Sequence, residues 1–305
     1  MSLIRTLRTT KLTLTRQFML DELPTGATGS VTVTITRLDG TLVQTGTATG
    51  PDPSTQTYTF VFNGSDTLDI LLVSWAATVA GDALIIDSDQ IEICGGYLFS
   101  LAEGRSVDTQ LSSASKYPST LLAAKRIETE DECERICGQA FVPRFSREIL
   151  DGRGQSFLRL RWPWIRNVRA ISIRNTPAGA YIALTAGQLA NVVGGDDGVL
   201  RDDAGVSWPT TGFFWGTVFP MGRRNIIVEY EHGLDYPPPD LVRGAKFRFK
   251  SLILQSQSAL PDRAERIATV ATGVVLLANP SEDKTGIPEV DACYGRHSRP
   301  VPSFG

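Results

Sequence analysis

Alternation of apolar and polar residues dominates the first hundred positions. Val31, Val33 and Ile35 alternate with Thr32, Thr34 and Thr36, which predicts a strand with one buried and one wet face. Asp39-Gly40 follows, the two-residue signal of a type I′ hairpin, and Thr41–Ala48 is the predicted return strand. Tyr58, Phe60 and Phe62 alternate before the turn pair Asn63-Gly64; Leu68–Val79 and Ala83–Cys94 are two further strand runs divided by Gly81-Asp82. Trp75 sits inside an apolar run and reads as core. Six or seven short strands separated by turns predict a β-sandwich, immunoglobulin-like in architecture only, because no Cys…Trp…Cys spacing accompanies them.

The period then changes. Tyr97–Glu103 reads as a short helix. Leu121, Leu122, Ala124, Ile127, Ile136 and Cys137 form an apolar stripe over a helix at about 119–138, with Ser119 as N-cap and Gly138 as C-cap. Glu128–Glu134 reads as its solvated acidic face, and Thr129–Glu132 fits a capping box that would break the helix near residue 129. Strands resume after Pro143, with Asp151-Gly152-Arg153-Gly154 read as a hairpin between Phe145–Leu150 and Ser156–Leu160. Further strands are predicted at Val168–Arg174, Ala180–Thr185 and Ile226–Tyr230. Pro237-Pro238-Pro239-Asp240 opens a second helix at about 240–258, with Leu241, Ala245, Phe249, Leu252 and Ile253 on one side. The last residues show no core of their own and read as an arm. The expectation is therefore an α+β, β-rich chain: a sandwich at 1–96, a body at 97–260 holding both helices and a β-insertion at 141–231, and a C-terminal arm at 261–305.

Composition adds a boundary. Nineteen of the first 100 residues are threonine against 11 in the remaining 205, in keeping with a β-rich start. The chain of 305 residues has a formal charge of -3, without the basic excess that bulk nucleic-acid binding requires. The charge is segregated. The first 100 residues carry five basic and ten acidic side chains, whereas Arg144–Arg174 holds eight arginines against Glu148 and Asp151. Arg144, Arg147, Arg159, Arg161, Arg166 and Arg169 belong to that stretch, interleaved with Trp162 and Trp164. Arg243 and Lys246 add a basic half-helix. Arginine and tryptophan suit either DNA contact or a subunit interface; the acidic total favours the interface.

Catalytic signals are sparse. His232 and His297 are the two histidines, and His232 reads as a strand-end residue. Cys133 and Cys137 lie one helical turn apart, where a disulfide closes almost no loop, while Cys94 and Cys293 read as isolated. No compact Cys/His cluster for zinc, no P-loop and no GxSxG stands in the sequence. Asp196, Asp197, Asp202 and Asp203 lack calcium-loop spacing. The expectations are no catalysis, no metal and no cofactor, reduced thiols, no secretory signal and no membrane partner.

Several blocks in a fixed order resemble a family. They are Gly95-Gly96-Tyr97-Leu98-Phe99-Ser100-Leu101-Ala102-Glu103, Lys116-Tyr117-Pro118, the helix Leu121–Gly138, Phe141-Val142-Pro143-Arg144 and Leu150-Asp151-Gly152. Then come Gly222-Arg223-Arg224-Asn225, Val228–Gly233, Pro237-Pro238 and Thr285-Gly286-Ile287-Pro288-Glu289-Val290-Asp291. Over residues 95–305 the chain is similar to head-to-tail adaptor (head-completion or connector) proteins of tailed phages, of the actinobacteriophage type. The resemblance implies a structural virion protein at the capsid–tail junction, made in the host cytoplasm. It implies a ring, normally dodecameric, between the portal and the stopper or head-closure protein, with genomic DNA passing through. It also implies a portal-docking arm at Thr285, Gly286, Ile287, Pro288, Val290 and Asp291, and subunit-facing or DNA-facing basic residues among those named above. The alternative reading is a binding module for a cell-surface glycan or protein, carried by the sandwich.

Overall fold

The computed structural model describes residues 3–20, 22–52, 54–79, 83–174, 176–202, 219–254, 264–267, 275–277 and 284–299. The N-terminal strands are β1 (Leu3–Leu7), β2 (Leu12–Gln17), β3 (Met19–Leu20), β4 (Leu23–Pro24), β5 (Thr32–Arg37), β6 (Leu42–Thr47), β7 (Thr57–Phe62), β8 (Asp69–Val79) and β9 (Ala83–Cys94). A five-stranded sheet runs β1-β9-β8-β5-β6, and β2 pairs separately with β7. The strict alternation along β8 buries Asp69, Leu71, Val73, Trp75, Ala77 and Val79 on one face. Val33 and Ile35 of β5 join them, as do Leu14 of β2 and Tyr58, Phe60 and Phe62 of β7. The two pairings thus close on one core.

Turn chemistry corrects one expectation. The β5–β6 connection is not a two-residue type I′ turn. Arg37 donates to Thr41 and Gly40 donates back to Arg37, so the loop is Leu38-Asp39-Gly40. Gly40 (φ 90) is its left-handed residue; a separate register slip lies further along the pair, between Ile35 and Thr36, which face Gln44 and Leu42. This loop is the three-residue hairpin built on a type I turn and a bulge. Asp39 still contributes, accepting the Thr41 N–H at 2.8 Å.

The middle of the chain holds β10 (Arg144–Gly152), β11 (Phe157–Arg159), β12 (Ile165–Ile173), β13 (Ile182–Ala183), β14 (Val192–Gly194), β15 (Val199–Asp202) and β16 (Gly222–His232). One sheet has the order β10-β16-β12-β13, and another β11-β15-β14. β10 and β11 therefore do not form the expected hairpin; each finds its antiparallel partner far along the chain, in β16 and β15. Of the strand expected at Ala180–Thr185, Ile182–Ala183 is paired. β17 (Ala264–Ile267) pairs with β18 (Val275–Leu277).

The helices are α1 (Leu101–Ser106), α2 (Ser119–Cys137), α3 (Ala186–Leu189), α4 (Pro239–Leu254) and α5 (Pro288–His297). A Ser100–Glu103 capping box starts α1. Pro118, not Ser119, is the N-cap of α2, and Gly138 (φ 67) is its left-handed C-cap. No break occurs at Thr129: its hydroxyl donates to the Lys125 carbonyl at 2.8 Å, inside the helix. The acidic face is solvated only in part: Glu128 and Asp131 are exposed, but Thr129, Glu130 and Glu134 are buried. Glu130 accepts the Leu98 N–H at 2.8 Å. No helix among the described residues is long and apolar enough to cross a membrane.

The chain is α+β, and its compact units divide it otherwise than the expected 1–96, 97–260 and 261–305. One unit is Met1–Gly95 with Pro143–Leu160 and Ile165–His232; the other is Gly96–Val142 with Arg161–Trp164 and Gly233–Gly305. The β-insertion thus groups with the N-terminal strands. Gly95 marks one crossing inside that unit. Its N–H donates to the Pro143 carbonyl at 2.9 Å, and a Cβ there would lie 2.6 Å from the Pro143 ring.

The helical unit has its own core of Leu98, Phe99, Tyr117, Leu122, Cys133, Cys137, Phe141, Val142, Leu241, Ala245, Phe249, Ile253, Val290 and Tyr294. The last two belong to α5. The segment expected as a free arm is therefore part of this core. Thr285 and Val290 are buried. Asp291 folds back over the start of α5, its Oδ1 accepting from the Thr285 N–H at 2.7 Å and its hydroxyl at 2.8 Å, and its Oδ2 from the Gly286 N–H at 3.2 Å. Ile287 is the N-cap and Pro288 occupies the first turn. Truncation before Thr285 is expected to lower thermal stability and helical circular dichroism together, because it opens this core. A truncated protein with an unchanged melting curve would overturn the assignment.

Candidate functional site

The predicted basic residues separate into three groups. Arg144, on β10, is buried in the first unit. Its Nη1 donates to Glu92 Oε1 at 3.2 Å, while Arg5 Nε donates to Glu92 Oε2 at 2.7 Å. The side chains of Arg5 and Arg144 are each 3% exposed and that of Glu92 11%. β1 lies parallel to β9 with Arg5 opposite Glu92, so strand register delivers one guanidinium and β10 the other. Burial alone would raise the Glu92 pKa, but the charges and hydrogen bonds of Arg144 and Arg5 outweigh it and hold the carboxyl below its usual range.

Arg147 and Arg169 are spent on β16. Arg147 stands directly opposite Glu229 in the β10–β16 register and donates to it at 3.0 Å. Arg169 sits at the irregularity between Val168 and Ala170. From there its Nε reaches Glu231 at 2.8 Å, and its guanidinium lies 4.9 Å from the Phe145 ring centre. Tyr230 donates a short hydrogen bond to Glu148. Such half-buried cross-strand pairs fix register. In the helical unit Lys246 pairs with Glu103 at 3.0 Å, Arg248 with Glu132 at 2.6 Å and Lys250 with Asp108 at 2.8 Å. The basic half of α4 is largely neutralised within its own unit.

Arg159, Arg161, Arg166 and Arg243 remain exposed. Arg159 and Arg161 do not share a strand face as their spacing suggests, because β11 ends at Arg159 and Arg161 belongs to the other unit. The Arg161 guanidinium lies 5.0 Å from the Trp162 ring centre. Trp164 is held too, its Nε1–H donating to Gln139 at 2.7 Å. Arg166 borders an open depression of about 440 Å³ lined by Ile165, Val168, Leu189, Val192 and Val193.

His232 ends β16. Its Nε2 lies 2.9 Å from Ser146 Oγ, a spacing that resembles a nucleophile–base pair. Burial, then the Arg144 charge, push its pKa down to about 3. A base that weak takes up no serine proton at neutral pH, and the ring is 2% exposed. Its contact with Ser146 joins β10 to β16. Alternation along β16 places Tyr230 and His232 on one face, but nothing in the local sequence points to Ser146. Arg5 and Glu92 were not legible as partners either, lying 87 positions apart. The one visible cue was a lone acid in the apolar run Ile91–Cys94. Cys293 and His297, expected to be unconnected to any cluster, come together with Asp240: potential ligand atoms of the three lie within 4.8 Å of one another.

Glu92→Gln leaves two guanidiniums buried without their carboxylate. It is expected to destabilise the first unit by about 3–5 kcal/mol, read as a lower urea midpoint by tryptophan fluorescence. Acid is expected to act through His232. An ordinary histidine titrates near 6.5 and this one near 3, so the unfolded chain binds the extra proton between those values. The stability contribution is complete above about pH 6.5 and is lost as pH falls towards 3. His232→Gln should flatten that part of the stability–pH curve; an unchanged slope would refute the assignment.

No protein-family model matches the chain, and no curated protein does. Among solved structures, a chain in the neck of an empty GTA particle computed with C6 symmetry aligns with a TM-score of 0.39 at 15% identity, covering 61% of this chain and 81% of that one. A chain in the virion of a native gene transfer agent (GTA) particle aligns with a TM-score of 0.43 at 15% identity, covering 68% and 92%. CopC from Methylosinus trichosporium OB3b aligns with a TM-score of 0.24 at 12% identity, covering 30% and 84%.

Proposed function

We propose that this chain is a structural, non-catalytic virion protein of a tailed-phage-type particle. It acts as the head-to-tail adaptor: a ring, dodecameric as the resemblance implies, between portal and stopper through which DNA passes. One observation carries the reading. Five of the nine blocks on which the family resemblance rests, spread over nearly 200 positions, supply one core, while those at 150–152, 222–225 and 228–232 lie in the other unit. Leu98 and Phe99, Tyr117, Leu122 with Cys137, Phe141 with Val142, and Val290 are all buried together in the helical unit. An order of short motifs arising by chance has no reason to converge in space.

The charge distribution supports the same role. Three of the six arginines named in the Arg144–Arg169 stretch are neutralised at home: Arg144 by Glu92, Arg147 by Glu229 and Arg169 by Glu231. A conduit benefits from weak phosphate contact, because each neutralised phosphate adds salt-dependent affinity and drag. Of the predicted basic residues, Arg159, Arg161, Arg166 and Arg243 are the exposed set and are assigned to subunit contact or transient DNA contact. Portal docking is assigned to the accessible residues Gly286, Ile287, Pro288 and Asp291 of the α5 segment, since Thr285 and Val290 are buried inside the chain. A closed ring also needs head-to-tail contacts between different surfaces of one chain.

Electron microscopy of the purified protein, alone and mixed with the portal of its particle, tests this. The expected result is a ring with the portal's symmetry, stacked on it coaxially. A chain that stays monomeric and leaves the portal undecorated at micromolar concentration would exclude the adaptor role.

A further inference from the structure

Cys293 and His297 are four residues apart on α5, so both project from one face, one turn from each other. Asp240 lies in the first turn of α4. His297 Nε2 stands 3.0 and 2.9 Å from the two Asp240 carboxylate oxygens. The Cys293 thiol donates to the Asp240 main-chain carbonyl at 3.3 Å. All three residues belong to the helical unit.

We propose that Asp240, Cys293 and His297 form a binding site for a zinc-class divalent cation. Zinc binds sulfur, nitrogen and oxygen at about 2.0–2.3 Å. Around a tetrahedral centre that places ligand atoms about 3.3–3.8 Å apart. The three ligand atoms here lie within 4.8 Å of one another, so modest side-chain movement brings them to that geometry. The mixed donor set selects the metal class. Calcium and magnesium take all-oxygen shells, whereas a thiolate with an imidazole and one carboxylate suits zinc and its spectroscopic substitute cobalt.

The surroundings fit a built site. Cys293 is 4% exposed and is seated against Gly244, where a Cβ would come within 3.1 Å of the sulfur. The His297 ring stands edge-on to Phe141 at 6.1 Å between centres, and the His297 carbonyl accepts from Gln139 at 2.6 Å. The sulfur is therefore held from the inside. The Asp240 side chain is 48% exposed and that of His297 22%, which leaves an entry path and a fourth position for water. Arg296 lies 3.4 Å from Asp240 Oδ2 and can stay on that oxygen while the other binds metal. On binding, the Cys293 S–H bond breaks and its proton goes to solvent. The proton that His297 Nε2 shares with the Asp240 carboxylate leaves that nitrogen as well, so that the ring binds as the Nδ1–H tautomer, and the His297–Asp240 contact is replaced by one bond from each residue to the ion.

The full-length protein, stripped with a chelator under reducing conditions and titrated with Co²⁺, tests the proposal. The expected result is one equivalent bound, with a thiolate-to-cobalt charge-transfer band and an intense tetrahedral visible spectrum, both erased by one equivalent of Zn²⁺. Cys293→Ser should abolish the charge-transfer band, and Cys133→Ser should keep it. Because Cys293 is buried, His297→Gln provides a second variant near the surface, expected to weaken cobalt affinity at least tenfold while the fold is retained. A wild-type protein without the band, a band that survives Cys293→Ser, or unchanged affinity in His297→Gln would overturn the site. Each result bears on the site alone, whichever way the ring experiment falls.

Discussion

A single carboxylate, Glu92, holds two buried guanidiniums, and the first unit is organised around it. Arg5 comes from the first strand, Glu92 from the last strand of the N-terminal sheet, and Arg144 from the strand that opens the middle region. Burying three charges is costly unless each finds its partner with good geometry. The cluster therefore specifies which strands meet: β1 must lie in register beside β9, and β10 must return to the same place. Gly95 and Pro143 touch just beyond it. What looked like an appended β-domain followed by a separate insertion is joined through this point into one unit.

The same economy recurs across the middle sheet. β16 presents Glu229 and Glu231 to arginines on β10 and β12, and Ser146 meets His232 at its end. Each pair adds little by itself at half-buried positions. Together they fix a register in which Ile226, Val228 and Tyr230 are buried. The sequence holds opposed blocks of charge, acidic in the first hundred residues and arginine-rich after Pro143. Arg144 pairs with Glu92 across the two blocks, while Arg147 and Arg169 pair with Glu229 and Glu231, which lie outside both. The blocks are not simply faces offered to a neighbour.

In the helical unit the deciding constraint is apolar. α2, α4 and α5 come from three distant stretches and share Leu122, Cys133, Leu241, Phe249, Val290 and Tyr294 in one core. Their charged residues are then brought close enough to pair, as Arg248 does with Glu132. α5 is short, and a helix of ten residues is marginal in water without packing. Its place in the core explains why it is ordered, and also why Cys293 and His297 meet Asp240.

Local physics was legible from the residues alone. The alternation in β5, β7 and β8, the Gly138 cap, the buried stripe of α4 and the split between a β-rich start and later helices all follow from periods of two and 3.6 and from backbone preferences. These terms are short-range, so a single chain displays them directly. Long-range pairing was not legible. The partners of β10 and β11, the burial of Glu130, the capture of the C-terminal segment and the Arg5–Glu92–Arg144 cluster depend on contacts between residues dozens to hundreds of positions apart. Composition carries no signal for them. An acidic run reads as solvated until a neighbouring helix covers it, and a polar tail reads as an arm until its few apolar residues find a core. Which charges stay free to meet another molecule is therefore decided only when the chain has folded and its own partners have been satisfied.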